Sequence, residues 1–290
     1  MQSVIVVGCG DVGLRVARDW VDRGAEVTGT VRSTRSAGRL QAAGIQALEL
    51  DLDAPGDINL PDLAGAIIHY HVPPPREGRG DPRISRFLEL LDQQGQLPRR
   101  IVYLSTSGVY GDCGGEWVTE QRAPAPDSDR GRRRLAAEQD LLAWAGPRDV
   151  ETVILRVPGI YGPGRLPIKR LRSGSPVVDE RECAFSNRIH AGDLARIDVA
   201  AAERGRAGAV YNVSDGQPTT MTDYFMQVAE LLGLEPPPII SLDEAREIMT
   251  PAMLSFLGES RRLDNSLMRK ELKVKLHYPT LEKGLRAVIK

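Results

Sequence analysis

The stretch that decides the fold lies at residues 4–13 and reads Val-Ile-Val-Val-Gly-Cys-Gly-Asp-Val-Gly. Its first four residues form an apolar, β-branched run, which is typical of a central strand covered on both faces. Gly8, Gly10 and Gly13 follow with G-x-G-x-x-G spacing, and apolar residues then recur at helical spacing as far as Trp20. The stretch therefore predicts a strand, a tight turn and a helix.

This turn has the chemistry of a dinucleotide site. In such a motif the first glycine makes the turn, the second lets a pyrophosphate approach the backbone, and the third permits close packing of helix and strand. The helix N-terminus adds free N–H groups and the positive end of its dipole. We therefore expect NAD(P) to bind here, and a glycine-rich turn without a ligand is the weaker alternative. The expected contacts are Gly8, Gly10, Asp11, Val12 and Gly13.

Strands and helices alternate along the first half of the chain. Further strands are predicted at residues 27–31, 45–50, 66–68, 101–104 and 152–155. This order predicts an α/β protein with a Rossmann-type, doubly wound parallel sheet. Glycines and prolines break the pattern from residue 158 onward. We expect an NAD(P)-binding domain at residues 1–159, with 187–213 returning to it, and a smaller, mostly helical substrate lobe at 160–290.

The end of the second predicted strand bears on the choice of dinucleotide. An NAD site usually places a carboxylate there for the ribose 2′-hydroxyl, whereas an NADP site offers an arginine. Here the strand ends in Val31, Arg32 and Ser33, without an acid. Arg32 and Ser33 therefore favour NADP over NAD, with a solvated surface arginine as the alternative. Asp51, after the third strand, is expected near the adenine unless it only caps a turn.

Composition excludes several classes of partner. The formal net charge is −1, so no basic surface points to nucleic acid or to an anionic membrane. No segment approaches the ~20 apolar residues of a membrane span. The three cysteines are widely spaced, without the pattern of a disulfide framework or a zinc site. We expect a cytoplasmic monomer or homodimer that binds a small molecule and no metal.

Three later segments carry a family resemblance. They are residues 104–111 (LSTSGVYG), 155–164 (LRVPGIYGPG) and 188–195 (RIHAGDLA). Together they resemble the extended short-chain dehydrogenases/reductases, the NAD-dependent epimerase/dehydratase family. The resemblance implies a Rossmann fold with NAD(P)-dependent chemistry, and it aligns Thr106 with the family's Ser or Thr that hydrogen-bonds the substrate oxygen.

One segment departs from that family. Its catalytic helix carries Y-x-x-x-K, in which a lysine lowers the pKa of a tyrosine that transfers a proton. When Glu138 and Leu135 are aligned with the corresponding residues of that family's helix, Arg130 takes the tyrosine position and Arg134 the lysine position. An arginine cannot release a proton at neutral pH. The chain thus resembles atypical members that keep the fold without this motif.

Two interpretations follow. The first is an epimerase/dehydratase-like oxidoreductase that acts on a small polar substrate, such as a nucleotide sugar, with non-standard acid/base residues. The second is a non-catalytic NAD(P)-binding sensor or regulatory protein. For the first we expect Thr106 and Tyr110 in catalysis and Arg134 at the cofactor. The candidate substrate contacts are Tyr161, Arg165 and His190.

Overall fold

The structure is a computed structural model that describes residues 1–54, 58, 60–250, 253–254 and 257–289. Its strands are β1 (Ser3–Val7), β2 (Glu26–Val31), β3 (Gln46–Glu49), β4 (Ile67–Tyr70), β5 (Arg100–Thr106), β6 (Trp117–Val118), β7 (Glu151–Val157), β8 (Gly159–Tyr161), β9 (Val177–Val178), β10 (Phe185–Ser186), β11 (Arg188–His190), β12 (Ala209–Asn212), β13 (Thr219–Thr220), β14 (Ile239–Ile240) and β15 (Arg262–Leu263).

Its helices are α1 (Asp11–Asp22), α2 (Thr34–Gln41), α3 (Pro82–Gln94), α4 (Asp129–Ala145), α5 (Ile168–Arg172), α6 (Ala191–Arg204), α7 (Met221–Leu232) and α8 (Leu242–Ile248), followed by two unlabelled helices, Ser266–Leu272 and Leu281–Ile289. Short 3₁₀ turns lie at Ser107–Tyr110, Gly146–Arg148 and Glu180–Glu182.

Seven strands form one parallel sheet in the order β12-β7-β5-β4-β1-β2-β3. The chain starts in the middle of the sheet, fills one side with β2 and β3, and then returns to fill the other. This order confirms the predicted doubly wound Rossmann-type sheet. Because all seven strands run in one direction, their carboxyl ends share one edge, and the loops that follow β1, β4 and β5 meet there.

Helices cover both faces of the sheet. On one face α1, α2 and α6 enclose a core that includes Val16, Leu40 and Ile197, all nearly inaccessible to solvent. On the other face α3 and α4 pack against β4 and β5 through residues such as Phe87 and Leu141. Burial on both faces explains why β1 and the middle of β5 read as continuous apolar runs.

The predicted elements include no helix between the fourth and fifth strands, yet α3 lies there. Local signals start and stop this helix. The side chain of Asp81 accepts hydrogen bonds from the N–H groups of Arg83 and Ile84, and Pro82 takes the first helical position. Gly95 ends the helix in a left-handed conformation with φ 64°.

The C-terminal part combines helices with short strand pairs, β8 with β11, β9 with β14 and β10 with β13. A separate apolar cluster lies between α7 and Leu281–Ile289 and includes Tyr224, Phe225 and Leu285. The helix Ser266–Leu272 instead packs on α6, so more of the tail than residues 187–213 lies against the sheet. Within the described residues, no helix combines the length and the apolar character that crossing a bilayer requires.

Candidate functional site

The glycine turn leaves an open backbone surface at the end of β1. Gly8 has φ +87°, which glycine adopts without strain, and a Cβ at Gly13 would lie 2.9 Å from the carbonyl oxygen of Gly8. At Gly10, by contrast, no described atom lies within 4 Å of the position of a Cβ. Gly10 is the N-cap residue of α1, and no side chain caps the N–H groups at the start of this helix. Open space beside uncapped N–H groups fits a pyrophosphate.

Asp11, the first residue of α1, pairs with two arginines. Its Oδ2 lies 2.6 Å from Arg165 Nε and its Oδ1 lies 3.1 Å from Arg15 Nε. Burial acts to raise the pKa of Asp11, but the two guanidinium groups outweigh it and hold the pKa below its usual value. Arg165 follows β8, so this ion pair joins a C-terminal loop to the glycine turn. The structure thus places Arg165 beside the expected cofactor residues.

At the end of β2, Arg32 is exposed to solvent and close enough to Asp53 to lower the pKa of that carboxyl group, after the stronger effect of Arg83. Ser33 is the N-cap of α2, and its hydroxyl accepts a hydrogen bond from the N–H of Ser36. Asp51 accepts from the N–H of Asp53, as expected of a residue that stabilises a turn.

A buried hydrogen-bonded network lies beneath the turn. Asp198 on α6 is fully buried, and its two carboxylate oxygens lie 2.7 Å from His69 Nδ1 and 2.5 Å from His71 Nε2. Although burial opposes ionisation, the two imidazoles hold the pKa of Asp198 below its usual value. Among the described residues these three could be grouped as metal ligands, with their ligand atoms within 4.8 Å of one another.

The partner of His69 argues against a metal at this network. Trp20 Nε1 lies 2.8 Å from His69 Nε2, and an indole N–H can only donate. His69 Nε2 must therefore be unprotonated, and its proton is on Nδ1, where it faces Asp198. A protonated Nδ1 cannot bind a metal ion, so the geometry is that of a hydrogen-bonded network under the dinucleotide turn.

Thr106 ends β5 at the carboxyl edge of the sheet. It is half-buried, and its Oγ1 accepts a hydrogen bond from the N–H of Gly108 at 3.2 Å, which leaves its hydroxyl proton available as a donor. Tyr110 lies one turn further on, but only 1% of its surface is exposed. Its hydroxyl donates to Asn212 Oδ1 at 2.8 Å. This geometry favours a structural role for Tyr110 over the expected proton transfer.

Arg130 and Arg134 lie in the first turns of α4. Arg134 Nη1 donates to the carbonyl oxygen of Leu104 and to the hydroxyl of Tyr103, both at 3.0 Å. The guanidinium therefore lies at the ends of the central strands. Arg130 is partly buried, and burial lowers its pKa while Glu259 opposes that shift.

Two expected substrate residues, Tyr161 and His190, also make contacts within the fold. Tyr161 is 1% exposed within the C-terminal apolar cluster, and burial raises its pKa above the usual value. His190 caps α6, because its Nδ1 accepts from the N–H of Gly192 at 3.1 Å. Burial lowers the pKa of His190 to about 4, so the ring is neutral at physiological pH. Both side chains thus make structural contacts, and a contact of either with a substrate stays a prediction.

The structure also brings in two residues that the sequence analysis missed. Glu259 and Arg261 come from the segment before β15 and lie against the loop after β5. Arg261 Nη2 lies 2.7 Å from Glu259 Oε2, and its Nη1 donates to the carbonyl oxygen of Gly111. The side chain of Glu259 is 6% exposed, and its Oε1 has no hydrogen-bond partner in the described part of the chain. No local motif surrounds Glu259, so the sequence carries no signal for it.

Comparison with known proteins shows what the chain is similar to. The sequence model described as the NAD dependent epimerase/dehydratase family matches residues 84–214. A solved structure of a functionally unknown conserved protein from Silicibacter pomeroyi DSS is 32% identical, with a TM-score of 0.87, over 99% of this chain and 98% of the other. Protein YeeZ of Escherichia coli K12 is 28% identical over 96% of this chain and 97% of its own.

A third relative has known ligands. MoeE5, solved in complex with UDP-glucose and NAD, is 25% identical with a TM-score of 0.76, over 99% of this chain and 97% of its own. Residues 84–214 thus match the NAD-dependent epimerase/dehydratase family, and the whole chain shares its fold with MoeE5.

Proposed function

We propose that this protein is an NAD(P)-dependent oxidoreductase of the epimerase/dehydratase type that acts on a small polar substrate, with nucleotide sugars as the first class to test. The observation that carries the proposal is the open, uncapped turn at Gly10, which lies at the same sheet edge as Thr106 and Arg134. A dinucleotide fits this turn, and the nicotinamide when bound supplies the hydride chemistry. The choice of nucleotide sugars rests on MoeE5, which was solved with UDP-glucose.

Residue roles follow from their positions. The glycine turn, with Asp11 and Val12, binds the pyrophosphate, and Thr106 hydrogen-bonds the reacting substrate oxygen. Arg134 holds a fixed positive charge at the ends of the strands, where it stabilises the bound nicotinamide ribose without exchanging a proton. Arg165 belongs with the cofactor residues because it pairs with Asp11.

Cofactor choice is a separate part of the proposal. Arg32 is exposed at the end of β2, and no carboxylate occupies the end of that strand. Its guanidinium is suited to the 2′-phosphate of NADP, with which it would form charge-assisted hydrogen bonds. We therefore propose NADP(H) as the preferred dinucleotide. A cytoplasmic location and a monomeric or homodimeric state belong to the same proposal.

The second candidate function is a non-catalytic NAD(P)-binding sensor. One observation favours it: arginines take the tyrosine and lysine positions of the family's proton-transfer motif, and arginine cannot exchange protons at neutral pH. A sensor would bind the dinucleotide at the same turn and would turn over no substrate.

Binding and turnover separate the two functions. NADPH and NADH binding is measured by the fluorescence of the reduced nicotinamide. UDP-glucose, UDP-glucuronic acid and dTDP-glucose are then incubated with NAD⁺ or NADP⁺, and products are identified by mass spectrometry. We expect binding together with conversion of at least one sugar nucleotide. Tight binding without conversion would favour the sensor, and absence of dinucleotide binding would contradict both functions.

A further inference from the structure

Glu259 combines burial with free hydrogen-bonding capacity, as Asp81 and Asp215 also do, but Glu259 lies near Thr106. The side chain of Glu259 is 6% exposed, and Oε2 is paired with Arg261, whereas the buried Oε1 has no partner in the described part of the chain. A buried polar atom without a partner costs stability, so such atoms are rare unless a ligand or a function uses them. Arg261 is itself anchored to the backbone of Gly111, which fixes the carboxylate in one orientation.

The position of Glu259 places it in the predicted active site. Gly108 lies in the turn after β5, and the position of a Cβ there would be 3.5 Å from Thr106 Oγ1 and 3.9 Å from Glu259 Oε2. The two side chains therefore lie around the same point. The charge of Glu259 also reaches Arg130, which aligns with the tyrosine of the family's motif. The carboxylate thus lies within electrostatic range of the residue that aligns with the missing proton-transfer group.

We propose that Glu259 is the catalytic acid/base of this protein and that it takes the place of the absent tyrosine. The inference rests on the oxidoreductase function proposed above. In the oxidising direction the C–H bond of a substrate carbinol breaks and its electron pair passes as hydride to the oxidised nicotinamide. The O–H bond breaks at the same carbinol, its proton passes to Glu259 Oε1, and a C=O bond forms. Reduction returns the proton and the hydride.

The neighbouring residues take supporting roles. Arg261 is a positioning residue, because it holds Oε2 and leaves Oε1 for the substrate hydroxyl. Thr106 donates a hydrogen bond from its hydroxyl group to the reacting oxygen, and Arg130 adds positive charge where negative charge develops on that oxygen. A carboxylate has the proton-exchanging capacity that neither arginine on α4 can supply.

The test compares Glu259→Gln with Glu259→Asp and with the control Glu116→Gln, an exposed carboxylate paired with Arg122. The substrate is UDP-glucose, UDP-glucuronic acid or dTDP-glucose, whichever the wild type oxidises. We expect Glu259→Gln to lower the turnover rate about 100-fold or more, the usual scale for loss of a positioned acid or base. Glu259→Asp should keep part of the rate, and Glu116→Gln should keep all of it.

Binding gives a second readout that needs no turnover. In the dead-end complex with reduced dinucleotide, the affinity for the same sugar nucleotide should fall about tenfold in Glu259→Gln, because a hydrogen bond to a charged group is lost. The affinity for the reduced dinucleotide alone should stay unchanged. In Glu259→Ala, added formate should restore part of the turnover, which it would not do if the carboxylate only stabilised the fold.

The outcomes separate the two levels of the proposal. Wild-type turnover in Glu259→Gln would overturn the role of Glu259 and leave the oxidoreductase function in place. A wild type that oxidises none of the three substrates would overturn the function and the role of Glu259 together. If Glu259→Gln does not fold, a Glu259→Asp variant that folds with unaltered turnover and no effect of formate on Glu259→Ala would likewise overturn the role.

Discussion

Gly10 has no side chain and faces open space. A substitution at this residue can therefore test dinucleotide binding without disturbing the fold. The φ of Gly10 is −79°, which any residue adopts, and no described atom would collide with a Cβ. A larger side chain here should leave the fold intact and fill the space expected for the pyrophosphate. A carboxylate would add electrostatic repulsion.

We therefore predict that Gly10→Glu folds with a nearly unchanged melting temperature and loses at least about 100-fold in dinucleotide affinity. The matched control is Gly146→Glu, at a position with equal free space far along the chain after α4. Affinity is measured by titration calorimetry with NADPH and NADH. Unchanged affinity in a folded Gly10→Glu variant would contradict the cofactor site.

Asp215 offers a pH-dependent prediction. Burial raises its pKa from 3.8 to about 7, although a hydrogen bond from the N–H of Gln217 acts in the opposite direction. The folded state therefore retains a proton that the unfolded chain releases between about pH 4 and pH 7. The stabilisation is present below that range and is lost as the pH rises through it.

We predict that Asp215→Asn removes most of this dependence. Asparagine keeps an acceptor for the N–H of Gln217 and stays neutral. The free energy of unfolding of the variant should therefore rise relative to that of the wild type as the pH rises, by up to about 4 kcal/mol. Urea unfolding at pH 5 and pH 8 measures the difference, with the exposed Asp243→Asn as the control. If the free energies of unfolding of variant and wild type differ by the same amount at both pH values, the raised pKa of Asp215 would be contradicted.

At the scale of the element, the end of β2 should determine the choice of dinucleotide. We predict that Arg32→Ala loses about 10- to 100-fold in NADPH affinity with little change for NADH, because one charge-assisted contact is worth roughly 1.5–3 kcal/mol. Arg35→Ala, also exposed and in the first turn of α2, is the matched control. Equal affinity of the wild type for NADPH and NADH would remove the basis of this prediction.

Elements with strong local signals could be predicted from the sequence. The runs that became β1 and β5 are continuous and apolar because both faces of the sheet are covered, and that pattern is visible without coordinates. The helix α3 was missed although Asp81 and Pro82 mark its start. Its apolar residues follow a stretch that contains Gly78 and Gly80, which reads as a loop, so their helical periodicity was not recognised.

At the scale of the whole molecule, site residues were predictable only where a motif fixes them locally. The glycine turn and Thr106 fall at the sheet edge, as expected. Tyr110 belongs to a family segment, but its burial against Asn212 depends on β12, which is about 100 residues later in the chain. Glu259 reaches the turn after β5 from the far end of the chain. Contacts across such distances follow from tertiary packing, which sequence patterns do not encode.

The ion pair between Arg165 and Asp11 connects the loop after β8 to the cofactor turn. Of the Arg165 guanidinium only Nε is bound to Asp11, and both side chains are about one-third exposed. The pair by itself therefore contributes little to stability. With a pyrophosphate on the turn, the remaining N–H groups of Arg165 could reach its oxygens. Dinucleotide binding should then order the loop between β8 and α5.

We predict that Arg165→Ala lowers dinucleotide affinity about tenfold, whereas Arg15→Ala, which removes the other partner of Asp11, has a much smaller effect. The difference is expected because Arg15 lies within α1 and connects nothing to the turn. Hydrogen exchange of residues 162–172 gives the direct readout: NADPH should slow exchange there in the wild type and in Arg15→Ala, but not in Arg165→Ala. Equal protection in both variants would mean that the loop closes without Arg165, and the proposed coupling between the C-terminal part and the cofactor turn would be wrong.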